Sequence, residues 1–312
     1  MLGAGSLGSV IGAVLARAGH RVTLITRNAA HVSAVTAVGL RLLGESTETV
    51  SLDATSDVAA LATSGFVPDL VVVLVKSFDT LGAMESALPL LGDRTTVLTL
   101  QNGVGCEQTI SDVVGRERVV AGRTFVGGRL VEPGIVEYGL TGRHTTIGEL
   151  DGCRSDRIVR LAEAFETAGF VVDISTDIVA TMWEKLFVNV ATGAWSALTG
   201  LPYGELSIQP DVEAAAIATV AEAMNVARAL GIDVSTTDPA VPWRRAWEGL
   251  PYGFKASMLQ SVEHGSRTEV DVMHGAVCDG GRRAGVPTPI NDTLLAAVRG
   301  LERRVELDLE LN

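Results

Sequence analysis

Gly3-Ala4-Gly5-Ser6-Leu7-Gly8 has the spacing GxGxxG, which suits the binding of a pyrophosphate. The first glycine permits a tight turn, the second lets the backbone approach a phosphate, and the third lets a helix pack closely on a strand. The N–H groups and positive dipole end of the following helix then face the anion. Taken alone, the string is also compatible with a chance glycine-rich turn, because the chain holds 34 glycines. Arg27 lies 22 residues beyond Gly5, where an NAD-binding chain carries an acid for the ribose 2′-hydroxyl. A guanidinium there suits the 2′-phosphate of NADP, a charge-assisted contact worth about 1.5–3 kcal/mol. The rival reading is a solvated surface arginine.

Lys76 follows the apolar run DLVVVLV, and Asn102 follows TTVLTL within QNGVG at 101–105. Both stand where open α/β sheets bind ligands, at the carboxyl ends of expected parallel strands. A strand-end lysine in water and a plain Asn-Gly turn are the alternatives. Lys185 and Asn189, in WEKLFVN at 183–189, are four residues apart and share one helix face. Their neighbours Leu186, Val188 and Val190 are apolar, so an amine and an amide facing inward would need partners. A lysine snorkelling to the rim is equally compatible with the segment. By themselves, Ser257 reads as a serine of a helical first turn and Glu269 as a solvated glutamate.

The elements that must position these residues follow from periodicity. Apolar runs at 20–26, 69–75 and 95–100, with shorter candidates at 119–121 and 145–147, read as buried strands. Helical patterns at 6–18 and 81–90 lie between them. Strand–helix alternation with continuous apolar strands implies a parallel sheet covered on both faces. The glycine string should follow a strand of about five residues, yet only Met1 and Leu2 precede it. The expectation is a strand whose start lies upstream of this Met1. From about residue 173 the pattern turns helical, at 178–198, 212–230, 255–265, 270–285 and 291–307. The expected fold is α/β: a Rossmann-type parallel-sheet domain over 1–173 that binds NADP, then an all-α domain over 174–312 that carries substrate binding and catalysis.

Composition narrows the class. Net charge is −12, which argues against the non-specific nucleic-acid binding that Lys and Arg drive. Cys106, Cys153 and Cys278 are odd in number and widely spaced, so neither a disulfide framework nor a metal site is expected. The chain lacks an apolar run long enough for a membrane span and an export signal. A cytoplasmic protein acting on a small molecule is the expectation.

Taken together, GAGSLG, QNGVG, WEKLFVN, SMLQ at 257–260 and GSRTEVD at 265–271 resemble the ketopantoate reductase (2-dehydropantoate 2-reductase) family over nearly the whole length. The resemblance implies NADPH as cofactor, a 2-oxo acid as substrate, and reduction of ketopantoate to pantoate on the way to coenzyme A. It implies Lys185 as the proton donor to the substrate carbonyl, with Glu269 completing the active site. It implies Asn189, Ser257 and Asn102 at the substrate. Gly3, Gly5, Ser6, Leu7, Gly8, Arg27, Lys76, Asn102 and Glu269 are the implied cofactor contacts. Burial is expected to lower the lysine pKa and a close Glu269 to oppose that. Pairing into a homodimer is compatible with the resemblance, although no interface is legible.

The match has gaps. Gly193, Tyr203 and Phe254 stand where the family typically carries asparagines, and Ser261 where an aspartate is expected. Fewer amides and more aromatic surface leave two alternatives open, a related reductase of another 2-oxo acid and a catalytically silent NADPH-binding protein. A hydroxyacyl-CoA dehydrogenase type is disfavoured, because none of the five histidines lies in such an enzyme's active-site string.

Overall fold

The computed structural model describes residues 1–44, 47–139 and 144–310. The chain folds as two compact units: Met1–Gln101 with Cys106–Ile178, and Val179–Asn312 with the short segment Asn102–Gly105. The division after Ile178 lies beyond the boundary at 173 read from the sequence. The excursion at 102–105 carries no compositional signal.

The first unit is built on a twisted sheet. Val171–Ile174, His144–Glu149, Val119–Thr124, Thr96–Thr99 and Leu70–Val73 lie side by side in that order, and Thr23–Ile25 pairs with Asp53–Thr55. Leu2 joins the two groups through parallel bridges to Ile25 and Val73. The expected central strand is thus a single bridged residue, with Leu2 N donating to Val72 O and Leu74 N to Leu2 O, each at 2.8 Å. Leu70–Val73, Thr96–Thr99, Val119–Thr124 and His144–Glu149 are buried over nearly their whole length because helices cover both faces, whereas Val171–Ile174 and Asp53–Thr55 are not. The sheet departs from the all-parallel expectation at one place, where His144–Glu149 runs antiparallel to Val119–Thr124.

A second sheet was not foreseen. Thr47–Val50, Leu40–Leu43, Ile135–Gly139 and Gly127–Glu132 form it in that order. It packs on the helix Ser6–Arg17: Leu130 N donates to Ser6 Oγ at 3.0 Å, and a Cβ on Gly128 would meet Val10 Cγ2 at 2.7 Å. With sheet on either side, that helix is buried continuously from Gly8 to Leu15. A cleft of about 470 Å³, lined in part by Met1, Thr23, Phe66 and Pro68, opens at the amino ends of the strands, the opposite end from the glycine string.

The second unit is helical. Ile178–Thr199 is its longest buried element, beside Pro210–Ala229, Ser257–Glu263, His274–Ala284 and Pro289–Glu310. Trp183, Leu186, Phe187, Val190, Ala191 and Ala194 bury one face of Ile178–Thr199, the i, i+3, i+4 pattern of a core helix. The single helix expected over 270–285 is instead a 3₁₀ turn, Val270–Val272, followed by His274–Ala284. Met273 breaks the run with φ −107° and ψ −92°, outside the helical region.

His274 and Asn291 are fully buried here. Asn291 Nδ2 donates to Thr219 O at 3.1 Å and to Glu222 Oε2 at 2.8 Å. Its Oδ1 must therefore accept from His274 Nδ1, at 2.9 Å. That fixes the neutral tautomer and leaves the His274 Nε2 lone pair buried with no partner among the described residues. Burial pushes His274 down from its ordinary 6.5 to about 4, against a smaller opposing effect of the Asn291 bond.

Candidate active site

The glycine string lies at the switch point of the sheet. From Leu2 the chain crosses through Ser6–Arg17 to the strand Thr23–Ile25 on one side. It returns through Val58–Thr63 to Leu70–Val73 on the other. Crevices at such reversals, outside the carboxyl strand ends, are where open α/β sheets bind nucleotides.

Each glycine has its own reason. Gly3 has φ +98°, and a Cβ there would lie 2.3 Å from Val75 N, so both the turn and the close strand approach exclude a side chain. A Cβ on Gly8 would lie 2.2 Å from Gly3 O, so helix and loop touch backbone to backbone. A Cβ on Gly5 would meet nothing within 4 Å, and Gly5 is exposed at the N-cap of the helix with no side chain capping it. Open space beside uncapped helical N–H groups is a cradle that fits a pyrophosphate. The Ser6 hydroxyl accepts from Leu130 N, which leaves its own O–H free to donate, and Leu7 packs onto the core.

A buried histidine braces this loop and escaped the sequence reading. Gly134 N donates to His31 Nδ1 at 3.0 Å, so the ring carries its proton on Nε2, which lies 3.0 Å from Ser9 Oγ. Ser9 Oγ in turn donates to Ala4 O at 3.3 Å. Burial lowers the His31 pKa, which keeps the ring neutral in this relay. Arg27 follows the strand Thr23–Ile25 and is exposed, in an ion pair with Asp79. Lys76 is exposed at the head of the 3₁₀ turn Ser77–Asp79. Gln101 is a second missed residue. Its Nε2 donates to Val75 O and to Thr80 Oγ1, each at 2.8 Å, and its Oε1 accepts from Thr99 Oγ1 at 3.1 Å, a saturated buried amide that pins the chain on either side of Lys76.

In the second unit, Lys185 Nζ donates to Asn102 Oδ1 at 2.8 Å. Lys185 is half-buried, so it does not snorkel away from its helix into solvent. The segment carrying Asn102 is held by Val104 N donating to Val272 O at 3.1 Å. Gly103 has φ +82°, and a Cβ there would lie 2.2 Å from the same oxygen. Val272 ends the turn that Glu269 begins, and Glu269 is 8 % exposed. One helix and two short segments thus assemble Lys185, Asn102 and the turn after Glu269.

Asn189, one helical turn beyond Lys185, has its Nδ2 buried without a hydrogen-bond partner among the described residues. An unmet buried donor costs about 1–3 kcal/mol, so this amide is suited to a ligand oxygen. Ser257 opens the helix Ser257–Glu263 and is exposed. Next to it, Met258 Cε lies 3.5 Å from where a Cβ on Gly193 would stand. Tyr203 Oη is 3.2 Å from Thr192 Oγ1, and the Tyr203 and Phe254 rings are tilted together with centroids 5.6 Å apart. Burial pushes the Tyr203 phenol up, opposed by the Thr192 bond. Ser261 is buried in the helix that Ser257 opens.

Two family models cover almost the whole chain: "Ketopantoate reductase PanE/ApbA" over residues 1–152 and its C-terminal counterpart over 177–302. The chain belongs to the ketopantoate reductase family. The 2-dehydropantoate 2-reductase of Halobacterium salinarum is 35% identical over 96% of this chain and 97% of its own. That of Pyrococcus horikoshii is 32% identical over 97% and 96%. The solved PanE/ApbA family ketopantoate reductase of Ralstonia eutropha superposes with a TM-score of 0.88 at 36% identity, covering 98% of each chain. These relatives are reductases, and the cradle at Gly5 suits the pyrophosphate of a dinucleotide. No helix among the described residues is long and apolar enough to cross a membrane.

Proposed function

We propose that this chain reduces 2-dehydropantoate to pantoate with NADPH, a step of pantothenate and coenzyme A biosynthesis. The observation that carries this reading is the ammonium of Lys185 held by Asn102 Oδ1 at 2.8 Å on a helix face that also presents the unmet Asn189 donor. Gly3, Gly5, Gly8 and the main chain of Ser6 and Leu7 would hold the pyrophosphate, with Arg27 at the 2′-phosphate and Lys76 nearby. Bound there, NADPH supplies a hydride to the carbonyl carbon.

The rest falls to the protein's own groups. Reduction places negative charge on the carbonyl oxygen, and stabilising that charge is worth most where donors are already oriented. The Lys185 ammonium carries three N–H bonds, so Asn102 can orient it while it donates to the carbonyl oxygen and passes a proton to the alkoxide. Asn189 Nδ2 orients a substrate oxygen, and Ser257 Oγ donates to the carboxylate. Glu269 accepts from a substrate hydroxyl or orients the lysine.

The test is NADPH oxidation against 2-dehydropantoate and a panel of 2-oxo acids. Lys185→Ala should lower kcat by about 10²–10⁴-fold, the range of a general acid, while NADPH still binds. Activity within a few-fold of the parent would remove Lys185 from the chemistry. The Tyr203–Phe254 pair and the Met258 methyl opposite Gly193 favour a second reading, a 2-oxo acid with a less polar tail. Turnover of such an acid well above that of 2-dehydropantoate would establish it.

A further inference from the structure

Asp79 occupies a helix-capping position and does not cap. It precedes the helix Thr80–Ala87, where aspartate is among the preferred N-cap residues, yet its carboxylate makes no capping bond and its backbone is helical. The carboxylate turns instead to Arg27, with Nη2 and Oδ2 2.5 Å apart. Arg27 follows the strand Thr23–Ile25 and Asp79 the strand Leu70–Val73, the two strands that Leu2 bridges. The pair therefore joins the carboxyl-end segments on either side of the glycine string.

We propose that Asp79 is an internal competitor for the 2′-phosphate of NADPH and thereby a determinant of the preference for NADPH over NADH. This rests on the assignment of Arg27 to that phosphate. Carboxylate and phosphate oxygens accept from a guanidinium in the same way, so the Nη2 N–H committed to Asp79 is not offered to the cofactor. A phosphate arriving there also meets the like charge of Asp79. NADH carries no 2′-phosphate and leaves the ion pair undisturbed, so the competition acts on NADPH alone. Asp79 is the more anchored partner: its side chain is 28% exposed against 85% for Arg27. Gln101 fixes the chain around it through Val75 O and Thr80 Oγ1. The arginine is therefore the member that changes partner.

The experiment measures dissociation constants of NADPH and NADH for the full chain and for Asp79→Asn, Arg27→Ala and the double variant. Asp79→Asn should tighten NADPH about two- to fivefold, the scale set by an exposed ion pair, and leave NADH unchanged. In the Arg27→Ala background the same change should lose most of its effect, because the two residues act as a coupled pair. Unchanged or weaker NADPH binding in Asp79→Asn overturns the proposal. So does equal tightening of both cofactors, or a full effect that persists without Arg27. If Arg27→Ala weakens NADPH no more than NADH, the assignment of Arg27 itself fails, an outcome separate from the others.

Discussion

Gly103→Ala tests whether the Lys185–Asn102 contact works through the segment that carries Asn102. The added methyl would start 2.2 Å from Val272 O, whereas ordinary van der Waals separation is about 3.5 Å. The segment must then retreat by more than ~1 Å. The oxygen it meets is the acceptor of the Val104 N–H bond, so the retreat breaks the anchor as well. A shift of that size carries the 2.8 Å bond from Lys185 Nζ to Asn102 Oδ1 beyond hydrogen-bond range. Misplacement by about 1 Å can cost about 10²-fold in rate, and that is the expected fall in kcat. Backbone strain alone could also damage the enzyme, since alanine in left-handed backbone costs about 1–3 kcal/mol. Gly105→Ala is the control: its φ is +105° but a Cβ there meets nothing within 4 Å. It should lose stability of that order and keep kcat within about threefold, as a change away from the reacting groups should. Steady-state kinetics with NADPH, alongside thermal melting of both variants, decide the matter. Gly103→Ala retaining parental kcat, or Gly105→Ala falling just as far, would refute the reasoning.

His274 gives a pH dependence with a defined sign. Its folded pKa lies near 4 against an ordinary 6.5, so its contribution is complete above pH 6.5 and is lost as pH falls toward 4, about 2 kcal/mol of it by pH 5. His274→Gln keeps a donor for Asn291 without the titration. The difference in unfolding free energy between the parent and this variant should therefore shrink by about that amount from pH 8 to pH 5, and a constant difference would count against it. At the glycine string, Gly8→Ala should abolish NADPH binding or folding because of the 2.2 Å approach to Gly3 O, whereas Gly5→Ala, with open space around it, should fold normally and weaken NADPH alone. Equal thermal stability and equal affinity in both variants would contradict the separate roles given to these glycines.

What could be read from the sequence divides along contact distance. GxGxxG and the helix after it are local features, and the three glycines meet Val75, open space and Gly3, the third touching the loop's own backbone more closely than the strand its spacing implies. The helix Ile178–Thr199 was legible because its buried face repeats at helical spacing over many turns. The second sheet was not, because its central pairing joins Leu40–Leu43 to Ile135–Gly139, and short half-solvated strands carry little signal without their partners. The site shows the same division. The sequence left Lys185 undecided between solvent and interior, and the deciding partner, Asn102, is 83 residues away. It reached the lysine's helical unit through a glycine whose sequence context reads as an ordinary Asn-Gly turn. His31 gave no signal, because the groups that fix its tautomer, Gly134 N and Ser9 Oγ, lie 103 and 22 residues from it. Sequence spacing could nominate the groups able to do chemistry. Which of them hold one another in place is set by tertiary contacts, and for this chain those contacts run through backbone atoms, Val272 O and Ala4 O, that leave no trace in residue type.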